Sequence, residues 1–166
     1  MRADRVPFLA GICLAGVCVI SPFSFAQDKP IEPAETVEVS PELDDLKLLV
    51  QQSALPYLTG SKPFVLREAS WSGEIEPGKA RLIQVQLFKR NDYHFWLAVP
   101  DRKSSLNLNL YNGKGELVEA KSVRYETSNV TSLVASPEET GLYYLRLSMQ
   151  SSVEEPQRWA VIYAYR

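Results

Sequence analysis

Two periodicities divide the chain. In the first, Leu43, Leu46, Leu49 and Val50 recur at helical spacing and share one face. Ser40 suits the N-cap, Pro41 the first helical position, and Glu42, Asp44 and Asp45 lie near the positive end of the helix dipole. Pro56 closes the run, so the pattern predicts one amphipathic helix over residues 40–55. From Lys62 onward the period drops to two. Arg81–Leu87 sets Ile83, Val85 and Leu87 on one face, and Asp92–Val99 sets Tyr93, Phe95, Leu97 and Val99 opposite His94, Trp96 and Ala98. Ser105–Tyr111 alternates most cleanly, with Leu106, Leu108 and Leu110 inward and Asn107, Asn109 and Tyr111 outward. Further strands are predicted at Lys121–Glu126, Asn129–Ala135, Leu142–Met149 and Arg158–Tyr165.

Turn residues punctuate these runs at Pro77-Gly78, Asn91-Asp92, Asn112-Gly113-Lys114-Gly115 and Pro137–Gly141. Short strands at this spacing, with no helical runs between them, predict a mainly β fold: an antiparallel two-sheet β-sandwich, jelly-roll-like, over residues 56–166. A single short helix is marginal in water, so its apolar stripe has to pack on something. Capping an edge or face of the sandwich is the expectation; pairing with another helix is the alternative.

The amino terminus changes the picture of where this domain works. Arg2 and Arg5 form a basic start, Val6–Ile20 is uncharged and mostly apolar, and Ser21-Pro22 breaks it. Ser24 and Ala26 place small residues at the −3 and −1 positions, which predicts a signal peptide over residues 1–26, cut between Ala26 and Gln27. The same serines and proline spoil the last third of a would-be membrane span, so no stable span is expected after cleavage. Cys18, following Leu14-Ala15-Gly16-Val17, lies in a run similar to a lipobox, but Val17 stands where that motif wants a small residue. Both cysteines, Cys13 and Cys18, fall within this segment, so the chain from Gln27 has no disulfide or thiolate chemistry. Residues 27–39, with Pro30, Pro33, Glu32, Glu35 and Glu38, read as a disordered Pro/Glu-rich linker. The expected location is the periplasm or the outside of a bacterial cell. A formal net charge of −2 gives no electrostatic case for nucleic-acid binding.

The order of features from Trp71 onward resembles a known family. Ile75-Glu76-Pro77-Gly78, the strand around Gln84-Val85 and Asp92-Tyr93 open the pattern. Leu106–Val118, with its Asn112-Gly113-Lys114-Gly115 turn, and Ser136–Leu147, with Thr140-Gly141-Leu142-Tyr143-Tyr144, complete it. Together they resemble the bacterial pre-peptidase C-terminal domain, a small β-sandwich appended to exported enzymes. The resemblance implies a non-catalytic module serving substrate or surface binding, secretion or the stability of a neighbouring enzyme. Some members bind calcium, through acidic residues along the central strand. This chain has Asn107 and Asn109 there, and amides hold a hard cation poorly, so calcium is disfavoured and no other cofactor is implied. Only a linker and a helix are expected ahead of the sandwich, with no peptidase domain.

Candidate chemistry is sparse. The sole histidine, His94, stands in mid-strand two residues from Asp92; no Gly-x-Ser-x-Gly elbow marks a nucleophile, so a hydrolase is the least favoured reading. The outward positions are richer. Trp96, Tyr111 and Tyr144 offer flat aromatic surface, and His94, Asn107, Asn109 and Arg146 offer polar groups beside them. These residues are the candidate ligand-binding set, for a protein or a cell-envelope component, or alternatively for a sugar ring stacked on Trp96, Tyr111 and Tyr144. The opposing expectation is that the helix or a second interface covers the aromatics.

Overall fold

The computed structural model describes residues 41–125 and 129–166. The signal segment with its Ala26–Gln27 cleavage site, the linker over 27–39 and the cap at Ser40 lie outside the described residues.

One helix, α1 (Pro41–Leu58), precedes eight strands: β1 (Val65–Ile75), β2 (Ala80–Leu87), β3 (Tyr93–Ala98), β4 (Ser105–Tyr111), β5 (Ala120–Arg124), β6 (Val130–Ala135), β7 (Gly141–Gln150) and β8 (Gln157–Tyr165). The strands form two antiparallel sheets, one ordered β1-β8-β3-β6-β5 and the other β2-β7-β4. The pairing is nested: β1 with β8, β2 with β7, β3 with β6. This is the rolled hairpin of a jelly roll, with one departure. The next nested pair would be β4 with β5, but β5 is hydrogen-bonded to β6, which makes the split five and three.

Alternation fills the space between the sheets as the sequence predicts. Ile83, Val85 and Leu87 of β2, Leu106, Leu108 and Leu110 of β4, and Tyr143, Leu145 and Leu147 of β7 meet Phe95, Leu97, Leu133, Val161 and Tyr163 of the larger sheet. Hydrophobic burial of this size supplies most of the favourable energy of a domain. Gly78 and Gly115 take positive φ (78° and 80°) in the turns between β1 and β2 and after β4, where a side chain would be strained. The carboxyl end is clamped: Arg166 and Asp92 exchange backbone hydrogen bonds of 3.0 and 2.9 Å, and their side chains pair at 3.1 Å.

A second apolar layer lies on the outer face of the five-stranded sheet. Leu46, Val50 and Ala54 of α1, spaced by four, pack with Phe64, Trp96, Ala98, Val130, Ala160, Ile162 and Ala164. The helix thus caps the sandwich of its own chain. Ala98, Ala160 and Ala164 keep that sheet face low enough for the helix to seat on it. Leu49 is only partly buried, and Ala54 is the buried position that the leucine pattern did not mark. The helix also runs through Pro56 instead of stopping before it. A proline in the last turn forfeits a single hydrogen bond. Packing of Tyr57 on His94 (4.4 Å between ring centres) and Trp96 (5.8 Å), with Phe64 N–H donating to Tyr57 C=O at 3.0 Å, holds that turn in place.

Candidate functional site

The two outer faces of the sandwich have different fates, and they divide the sequence-predicted residues between them. On the larger sheet, His94 and Trp96 do point away from Phe95, as alternation requires, but α1 covers them and both are 0% exposed. They are therefore removed from the ligand-binding set. The rings stack on one another with centroids 3.8 Å apart, between Tyr57 and the sheet.

This layer also holds most of the polar side-chain contacts beneath the helix. His94 Nε2 lies 2.9 Å from Ser132 Oγ, Trp96 Nε1–H donates to Tyr125 Oη at 2.9 Å, and Tyr125 Oη–H reaches Ser132 Oγ at 3.5 Å. His94 Nδ1 is buried without a hydrogen-bond partner. Loss of hydration, reinforced by the charge of Arg166, lowers the His94 pKa from 6.5 to about 4, so the ring is neutral at physiological pH. A histidine beside a serine is the geometry of an activated nucleophile, yet here both are sealed from solvent and no acid orients Nδ1. Burial and the missing third group make it a packing pair.

The outer face of the β2-β7-β4 sheet carries no helix. Cross-strand register assembles its residues into rows: Ala80, Ser148 and Asn107; then Leu82, Arg146 and Asn109; then Gln84, Tyr144 and Tyr111. Five of the seven predicted residues, Asn107, Asn109, Tyr111, Tyr144 and Arg146, are thus brought together on one surface. Asn107 is exposed, and the other four are half-buried against their neighbours. Arg146 is aligned along β7 by a 3.3 Å bond from Nη1 to Ser148 Oγ.

Two residues of this surface were missed in the sequence. Leu82 and Leu142 stand on the polar side of their strands and are 65% and 45% exposed. Their signal was a break of alternation, Leu82 beside Ile83 and Leu142 beside Tyr143, which adjacent apolar residues conceal. Leu142 also borders an open groove of about 1240 Å³ between the 112–121 segment and the 136–143 turn, where Lys114, Lys121, Glu116, Glu138 and Glu139 mix their charges.

The face presents two tyrosines, two exposed leucines, the four amides of Gln84, Gln86, Asn107 and Asn109, and a guanidinium. Among the described residues no group of three or more His, Cys, Asp or Glu side chains could hold a metal ion. Among them, too, no helix is long and apolar enough to cross a membrane. No protein-family model matches the chain, and no curated protein is similar to it.

Proposed function

We propose that this chain is an exported, non-catalytic β-sandwich module whose three-stranded sheet binds a protein or another component of the cell envelope. The observation that carries the reading is the contrast between the two outer faces. One is buried by α1 down to its tryptophan; the other leaves Leu82, Leu142, Tyr111 and Tyr144 around Arg146 without a cover. Aromatic residues and arginine dominate the energetics of protein recognition surfaces, and apolar side chains at neighbouring positions exclude water around them. The resemblance to the pre-peptidase C-terminal domain points the same way, towards a module that attaches rather than reacts. Export rests on the basic, apolar and small-residue order of residues 1–26.

A sugar ligand is the second reading, and Tyr111 beside Tyr144 in one row is the observation that favours it, since two adjacent phenol rings suit a pyranose face. Trp96 no longer contributes. Immobilised protein challenged with envelope extract and, separately, with a panel of polysaccharides distinguishes the two. The Tyr111→Ala/Tyr144→Ala variant should lose the captured envelope component, with affinity reduced about tenfold or more, while its thermal melt stays close to that of the parent. Polysaccharide retention abolished by the same variant would transfer the conclusion to the sugar. Undiminished capture of both would remove this face from the function.

A further inference from the structure

At one corner of the sandwich the start of β1, the end of β8, the start of β3 and the turn after β2 enclose a pocket of about 220 Å³. Three of its lining residues are phenols: Tyr93 and Tyr163 are buried, and Tyr165 is half-buried. Phe88, 50% exposed, lines it too, with the amides of Gln86 and Asn91 and the guanidinium of Arg67. No lining residue is acidic. The phenol oxygen of Tyr93 accepts from Phe88 N–H at 2.9 Å and from Asn91 Nδ2 at 3.3 Å, so its own O–H is left to donate. The Arg67 guanidinium lies over the ring of Tyr165, 5.3 Å from its centre. The Tyr163 phenol first, and then Tyr165, holds its pKa above the ordinary arginine value, and no carboxylate among the described residues takes part. The phenols therefore orient this cation without neutralising it.

Two backbone irregularities frame the same pocket. β1 breaks register between Leu66, opposite Ala164, and Ser70, opposite Ile162, so residues 67–69 stand against Tyr163 alone. Bulges of this kind re-aim side chains and cluster beside binding sites. Arg90, in the turn that carries Phe88 and Asn91, takes φ 73°. That conformation is costly for a residue with a Cβ and persists where the surroundings impose it.

We propose that this pocket binds a six-membered sugar ring carrying a carboxylate, the uronic-acid class of acidic polysaccharides. A single guanidinium matches a single carboxylate through two parallel N–H···O bonds. The exposed face of Phe88 suits the C–H side of the ring, and Gln86, Asn91 and the Tyr93 O–H suit its hydroxyls. The volume is about seven times the ~30 Å³ that a liquid water occupies, room for one ring and not for a longer stretch of chain. Only Gln86 is shared with the open face of the β2-β7-β4 sheet, so the pocket stands independently of what that face binds.

A ligand this small binds at about millimolar affinity. Titration of the full chain with glucuronate, followed by amide NMR, should shift the amides of Arg67, Phe88 and Asn91. The Phe88 N–H, bonded to Tyr93, reports on that phenol directly. Glucose and acetate supply the ring and the charge separately, and each should bind at least tenfold more weakly. Arg67 and Phe88 are exposed, so Arg67→Gln and Phe88→Ala should each weaken glucuronate tenfold or more while their thermal melts stay close to that of the parent. Arg67→Lys, which keeps the charge but not the fork, should recover only part of the loss. Tyr111→Ala/Tyr144→Ala should leave the titration unchanged; loss of glucuronate there would move binding to the other face and overturn the proposal. So would glucuronate that shifts no pocket amide, acetate or glucose that binds as well as glucuronate, or Arg67→Gln and Phe88→Ala variants that both bind like the parent.

Discussion

His94 lies where strand alternation placed it, opposite Phe95, yet its character is decided by a helix some forty residues earlier in the chain. Parity along a strand is a local property and was legible. Whether the second face of a strand is wet or dry depends on what lies over it, and no residue of β3 records that. The consequence is measurable. The ring has a pKa of about 4 in the folded protein against 6.5 when exposed, chiefly because burial disfavours the cation. The unfolded chain therefore takes up a proton that the native state refuses. Stability should fall as pH drops from 6.5 towards 4, by about 1.4 kcal/mol per unit and about 3 kcal/mol in all, and this group contributes no further loss below that window. Urea unfolding of the parent and of His94→Gln across the same pH series isolates the term. The parent should lose stability through the window and the variant should be flatter. Parallel curves would mean that His94 is charged or hydrated in the native state.

At the scale of elements, the helix start at Pro41 and two positions of its apolar stripe, Leu46 and Val50, could be read directly, because proline placement and apolar spacing are local signals. Two features could not. Pro56 looked like a stop because its own backbone permits no continuation bond, whereas Tyr57, seated on His94 and Trp96, outweighs that loss through tertiary packing. β1 was not resolved as a separate strand because an edge strand with a bulge exposes most of both faces and shows little alternation. The prediction at this scale concerns the contact of α1 with the sheet. Leu46 is buried against the second apolar layer, so Leu46→Asp would leave an unpaired carboxylate there or detach the helix, at a cost of about 3 kcal/mol or more. The melting temperature should fall at every protein concentration, since the contact lies within one chain. Removing residues 1–58 should uncover Trp96, Ile162 and Val130 and promote aggregation. A soluble truncated domain with an unchanged melt would show that the helix is dispensable to the sandwich.

The described residues form three layers, the three-stranded sheet, the five-stranded sheet and α1, and the order of strand and turn patterns after one helical run announced the two-sheet sandwich. The five-and-three split was not announced, because whether β5 pairs with β4 or β6 depends on edges that look alike in sequence. This layering also bears on metal. Asn107 and Asn109 offer no carboxylate, and register places the Arg146 guanidinium beside Asn109, where it repels a cation. Thermal melts in chelator and in excess calcium should superimpose, whereas binding at a hundredfold excess over Kd would add about 2.7 kcal/mol.

The two apolar layers further imply that the molecule opens in stages. The inner layer joins both sheets through long strands, and β3 is hydrogen-bonded on both sides, to β6 and β8. The outer layer holds α1 by one stripe, Leu46, Val50 and Ala54, with Tyr57 at its end, over a face built largely of alanine, histidine and tryptophan. Fewer apolar groups must leave the protein interior to release the helix than to part the sheets, so local opening of α1 should require less free energy than global unfolding. Hydrogen exchange should find the α1 amides less protected than those of β3 and β8. Acidification towards pH 4 should lower α1 protection at least as much as β3 protection, because release of the helix exposes His94 to protonation. Fluorescence of Trp96, isolated by Trp71→Phe and Trp159→Phe, should report the helix step before the sandwich melts. If the α1 and β3 amides instead exchange with the same free energy at every pH, the three layers form one cooperative unit, and the helix is as integral to the fold as the strands beneath it.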